Sequence, residues 1–186
     1  MIERVGTGAA KSESPLVGAH TEALPLNGRW HVLHTKSRQE KLLAEELHKA
    51  DIGHFLPLVR KTQFYGKRKA VVELPLFPGY LFIRGTIEDA YLATRTKRIA
   101  KIIEVADQAK IDWELTNLHL ALSSQVPLDP FPYLKEGSKV EVRSGPLRGL
   151  QGFIESRIGG GRLILQVEML GRAVSVEVHG ATLEPL

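Results

Sequence analysis

The proline-rich stretch SQVPLDPFPYLKEG, residues 124–137, divides the chain into two textures. Before it, helix-period and strand-period segments alternate. After it come only short alternating strands separated by glycine-bearing turns. A chain built this way cannot be one uniform fold. It reads as an α+β domain, a semi-rigid linker and a small all-β module. The expected boundaries are a disordered leader over 1–27, an α+β domain over 28–124, a linker over 125–133 and a five-stranded barrel over 134–186.

The leader is small, polar and broken by proline and glycine, with no sustained period. Structure begins at GRWHVLHTK, where Trp30, Val32 and His34 alternate with His31, Leu33 and Thr35. SRQEKLLAEELHKADIG reads as a helix, with Ser37 and Glu40 at capping-box spacing and Leu43, Leu47 and Ala50 on one stripe. HFLPLVRKTQF, VVELPLF and GYLFIRG read as extended, and YGKRKA as the turn between the first two. Thr86 and Asp89 can cap a second helix. Ile99–Val105 reads as a strand, and Asp112 can cap a third helix through Leu115, Leu118 and Leu122. The order is β-α-β-β-β-α-β-α, with helices expected to cover one face of the sheet. Beyond the linker, SKVEVRSG, LQGFIES, RLILQVEML and AVSVEVHG are short strands, rich in β-branched residues, which predicts a stable barrel rather than a helical alternative.

Charge narrows the function class. The chain carries 25 Lys and Arg against 21 Asp and Glu. Residues 28–124 hold 16 of the cations and 11 of the acids, a surplus of five, whereas 134–186 hold 7 and 6. The basic character belongs to the first domain and points to a polyanion. The candidate phosphate contacts are Lys36, Arg38 and Lys41, then Arg95, Lys97 and Arg98. Lys36 and Arg38 oppose the helix dipole, a small stability cost that suits a binding role. There is no cysteine, which excludes disulfides and thiolate metal sites and fits a reducing cytoplasm. No apolar run is long enough to span a membrane. The seven histidines are scattered without metal spacing, and GGG at 159–161 precedes a strand rather than a helix. Neither enzyme, metal nor cofactor is expected.

LPLFPGYLFIRG, residues 74–85, is the least ordinary segment. Tyr80 and Phe82 point to one face of a strand, and Leu81 and Ile83 to the other. If helices cover one face, the second face is a candidate apolar docking surface for a helix pair. Burial inside the domain is the plain alternative. RNA stacking fits less well, because PGYLFI lacks the basic, glycine-spaced pattern of an RNA-recognition strand.

WHVLHTKSRQEKLLAEEL, LPLFPGYLFIR and KEGSKVEVRSGPLRGLQGFIES together resemble the bacterial NusG/RfaH family of transcription elongation and antitermination factors. The resemblance spans residues 28–186 and includes the order of an NGN domain, a linker and a KOW barrel. It implies that Phe77, Pro78, Tyr80 and Phe82 dock on the clamp helices of RNA polymerase. His34 stands where the family often carries an aromatic pocket residue. Tyr91, Leu92, Ala93 and Thr94 correspond to the segment that touches the opposite jaw, the gate loop. Lys36, Arg38 and Lys41 would lie near the non-template DNA strand. In the barrel, Leu147, Leu150, Met169, Leu170 and Arg172 correspond to loops that recruit a ribosomal protein or Rho. TRTKRIAKIIEV replaces the TPGV-like stretch of the general factor, which points to a specialised, operon-specific paralogue, acting as a monomer. The competing reading is a free-standing RNA- or ribosome-binding KOW protein.

Overall fold

The structure is a computed structural model that describes residues 17–18, 23–65, 68–131, 137–157, 160–178 and 183–186. Its first unit is a four-stranded antiparallel sheet of order β3-β6-β2-β7. These strands are β2 (Arg29–Thr35), β3 (His54–Phe55), β6 (Tyr80–Gly85) and β7 (Ile99–Glu104). Three helices flank it: α1 (Glu40–Lys49), α2 (Ile87–Thr94) and α3 (Gln108–Ser123). A long hairpin of β4 (Leu58–Tyr65) and β5 (Arg68–Pro75) stands beside the sheet.

The helices cover both faces of the sheet, not one. Alternation along β2 and β6 sends Trp30, Val32 and Phe82 to one side and Leu33, Leu81 and Ile83 to the other. The first set is buried with Ile111, Leu115, Leu118 and Leu122 of α3. The second is buried with Leu43 and Leu47 of α1 and Ala90 and Ala93 of α2. This is why LFI carries no polar alternation: a strand buried on both faces reads as a continuous apolar run.

Several local expectations change. Ser37 does not cap α1; the N-cap is Gln39, without a side-chain hydrogen bond. Arg38 takes a positive φ of 60°, which turns the chain before the helix can begin. Glu40 is freed from the capping role and is used elsewhere, as described below. Thr86 and Asp89 do form the capping box of α2. The N-cap of α3 is Asp107, five residues earlier than Asp112, and it accepts the Lys110 N–H at 2.9 Å. Asp112 instead faces Trp30, whose indole N–H it accepts at 2.8 Å, and Arg84 at 2.7 Å. The leader is not wholly without structure: β1 (Val17–Gly18) pairs antiparallel with β4, and Arg84 donates to the Pro25 carbonyl at 3.2 Å.

The second unit is a six-stranded antiparallel sheet of order β13-β9-β10-β11-β12-β8. It comprises β9 (Ser138–Val142), β10 (Gln151–Arg157), β11 (Gly160–Val167), β12 (Arg172–Glu177) and β13 (Leu183–Pro185). The sixth strand, β8 (Leu128–Phe131), comes from the stretch read as linker and pairs with β12. The pairing explains why these residues are not a free spacer. Among the described residues no ladder joins β13 to β8, so the sheet has six strands in open order rather than five in a closed ring.

The two units touch through α3. Trp113 donates its indole N–H to Gln151 Oε1 at 2.7 Å, and Asn117 Oδ1 accepts the Gln151 N–H at 2.6 Å. Lys139 lies over the Trp113 ring at 4.3 Å, and Phe153 meets that ring edge-on. Further along, Lys110 pairs with Glu168.

Candidate polymerase-docking surface

The FPGY segment is a tight turn built from three features. Pro78 fixes φ at the first corner, and Gly79 takes φ 86° at the second. Tyr80 N–H closes the turn on the Phe77 carbonyl at 3.1 Å. Two long-range bonds hold it against the sheet. Glu40 Oε1, buried at the start of α1, accepts the Gly79 N–H at 2.7 Å, and the Gly79 carbonyl accepts Thr35 N–H at 2.8 Å. A carboxylate on a backbone N–H is the stronger, charge-assisted kind of bond. Glu40 therefore fixes where β6 begins.

The turn sets the exposure of every residue in the motif. Phe77 and Phe82 are buried, at 3% and 0% exposure. Phe82 packs against Phe55 under α3. Both belong to the core and offer no ring to a partner, a correction to the docking assignment. Pro78 is exposed and Tyr80 half-buried. Tyr80 lies directly across from His34, and their rings stack at 5.2 Å with 26° between planes. Lys101 of β7 pairs with His34 on the other side. Tyr80, His34 and Lys101 therefore form one row across three strands, at the end of the sheet away from the Trp30 and α3 contact.

The other candidates separate by element. On α2, Ala93 is buried, whereas Tyr91, Leu92 and Thr94 are exposed, Tyr91 at 62%. The Thr94 hydroxyl donates to the Tyr91 carbonyl at 2.7 Å, fixing the end of that helix. The exposed edge of α2 and the Tyr80 row thus lie on opposite faces of one sheet.

Of the basic residues, Lys36, Arg38, Arg95 and Lys97 are exposed. Lys36 N–H donates to the Arg98 carbonyl at 2.7 Å, which brings the two basic loops side by side. Thr35 is held to the FPGY turn, so these loops border the ring row. Arg98 is already paired with Glu46 at 2.9 Å and also bonds Gln39. Lys41 donates to the Glu73 carbonyl at 2.9 Å and braces the hairpin. Their charges are in part committed within the fold.

In the second unit Leu147 and Leu150 are core, at 4% and 0% exposure, and are not contact residues on that ground. The turn beyond β11 is a short 3₁₀ helix, Glu168–Leu170, ended by Gly171 at φ 58°. Met169 is 38% exposed and Arg172 is exposed. Met169 and Glu168 line a cleft of about 360 Å³ with Ile103, Lys110 and Glu114. Glu114 is buried there and accepts the Glu168 N–H at 3.2 Å. Burial pushes its carboxyl up to about 7.

Among the described residues, no group of His, Asp and Glu could hold a metal ion. No helix is long and apolar enough to cross a membrane. Residues 28–115, the sheet with its flanking helices up to the middle of α3, match the family model described as NusG, transcription termination factor. Residues 28–115 are a domain of the NusG family. Members of the NusG family are non-enzymatic transcription factors of elongation and termination that act on RNA polymerase.

Proposed function

We propose that this protein is an elongation and antitermination factor that docks on the clamp helices of RNA polymerase through the corner of its sheet. The observation that carries the reading is the stacked Tyr80–His34 pair. It is a partly open apolar patch at the end of a sheet that is otherwise sealed on both faces. Pro78 extends the patch and Lys101 closes the row. Phe77 and Phe82 support it from beneath. Tyr91, Leu92 and Thr94 would meet the gate loop on the far jaw, since they project from the opposite face. A protein held at both jaws favours the closed, pause-resistant polymerase only by its differential affinity for that state. A coupling of about 1–3 kcal/mol changes pausing roughly 5–150-fold, so no chemistry is required of the factor.

Lys36 and Arg38, joined by Arg95 and Lys97, border the ring row and would face the non-template DNA strand. The C-terminal unit would act as a KOW module recruiting a ribosomal protein or Rho through Met169, Leu170 and Arg172. The TRTKRIAKIIEV segment supports a specialised, operon-specific paralogue.

The test uses the two rings that are not core. His34→Ala with Tyr80→Ala should leave the fold intact and abolish co-purification with RNA polymerase. Retention of the polymerase by this folded variant would refute the docking assignment.

A further inference from the structure

We propose that the β4–β5 hairpin is a second nucleic-acid site, an arm that lies in the major groove of double-stranded DNA. The first ground is charge. Residues 58–75 contain Arg60, Lys61, Lys67, Arg68 and Lys69 against Glu73 alone, a surplus of four. The whole chain has 25 cations and 21 acids, also a surplus of four. Outside the hairpin the balance is therefore 20 against 20. The positive charge of the protein resides, in net terms, on one two-stranded ribbon.

The second ground is where that charge sits. Glu73 is at the root, paired with Arg60 at 3.1 Å. Its backbone carbonyl takes the Lys41 ammonium, and Val59 is buried in the domain core. Among the described residues β1 adds a third strand at Val59 and Arg60. The one acidic residue of the hairpin and the anchors just named lie at this end. The other end carries Arg68 and Lys69, both exposed. Strands of eight residues reach about 26 Å, enough to hold the far end well away from the root.

The third ground is shape and surface. Register places Phe64 opposite Lys69 and Thr62 opposite Val71 on one face. Phe64 is 67% exposed and Val71 61%. These exposed apolar groups lie beside cations on the far half of the ribbon. Two strands about 4.8 Å apart, with side chains, fit a major groove about 12 Å wide. In that position Arg68 and Lys69 meet phosphates at the groove wall, and Phe64 meets apolar base edges such as the thymine methyl. Duplex is favoured over single strand because unpaired bases are held by successive aromatics in a row. Here Phe64 has a lysine, not a second ring, as its cross-strand neighbour.

The site is separate from the polymerase reading, and its test contains no polymerase. The full chain is titrated with a short blunt DNA duplex of mixed sequence over a range of salt concentrations. Arg68→Gln with Lys69→Gln should weaken binding and make the plot of log K against log salt shallower by about 1.8, the value for two phosphate contacts. Phe64→Ala should weaken binding with the slope unchanged, because it removes an apolar contact and no counterion. An unchanged slope in the double variant overturns the proposal. So does absence of duplex binding by the native chain, or tighter binding of the matching single strand or of an RNA hairpin. All three residues are exposed, so the variants keep the native fold, which their thermal unfolding checks directly.

Discussion

Strand β6 and the β4–β5 ribbon are close in the chain and opposite in construction. β6 lies between two other strands with helices over both faces, and Leu81, Phe82 and Ile83 are all fully buried. Among the described residues the ribbon has one neighbouring strand, at its root, and Phe64, Arg68, Lys69 and Val71 of its far half are exposed. An apolar segment is therefore core here, whereas a basic segment forms the exposed arm. The difference teaches where function can sit in such a domain. The interior of β6 is committed to folding, and only its ends are partly open, Tyr80 at one and Arg84 and Gly85 at the other. The ribbon contributes little to the core and is free to contact something else.

The most forceful way to break this comparison is Phe82→Ala. If β6 is core, the change should cost about 3–5 kcal/mol, as for other buried phenylalanines. Thermal or denaturant unfolding reads the loss directly. A cost near zero would mean that the ring is not packed as described. A polymerase-binding defect in such a variant reports unfolding rather than docking, which is why the docking test rests on His34 and Tyr80.

Gly79→Ala has a smaller expected effect and a different cause. A methyl at Gly79 would meet only the His34 ring at 3.6 Å, an ordinary contact. The cost comes from φ 86°, which a side chain disfavours by about 1–2 kcal/mol. The loss should appear in stability and, through the displaced Tyr80, in polymerase affinity. Equal stability of the variant and the native chain would argue against the turn geometry.

What was legible in the residues follows the same division. The Thr86–Asp89 capping box lies within one turn of α2 and was readable, because both partners are local. The Ser37 cap was not, because Arg38 adopts a left-handed conformation that nothing in its neighbours demands. Asp112 carries the right chemistry for a cap but is held by Trp30, 82 positions away. The apolar run in β6 was readable as unusual. That helices would cover both of its faces was not, since α3 lies in sequence beyond β7 and could have covered either face. Leu128–Phe131 looked like a spacer because its pairing partners, Ala173–Val176, lie more than forty residues on. Tyr80 is legible from its strand, and His34 only through the family resemblance. Their stacking follows only from the register that sets them opposite. The surplus charge of the first domain was readable too, but not that the hairpin carries it, since that requires knowing which cations stay exposed.

The contact between the two units sharpens the comparison at the lowest energy. It adds polar bonds to apolar packing of α3 on the second sheet, and one of its charged groups, Glu114, has a raised pKa. Glu114 rises from 4.5 to about 7, chiefly because α3 and the Glu168 turn bury it, while the Glu168 N–H and Lys110 favour its charged form. Lys139 acts in the same direction as Lys110, and the Glu168 carboxylate acts against them. An acid whose folded pKa is raised binds a proton that the separated state has already lost. Docking of the units is therefore strongest below about pH 4.5. It weakens as pH rises toward 7 and changes little beyond that. Glu114→Gln should flatten this dependence and leave each unit folded. Hydrogen exchange at Gln151 and Glu168, followed across that pH range, reads docking separately from global stability. Protection that stays constant from pH 4.5 to 7 in the native chain would mean that the carboxyl is not buried by this contact.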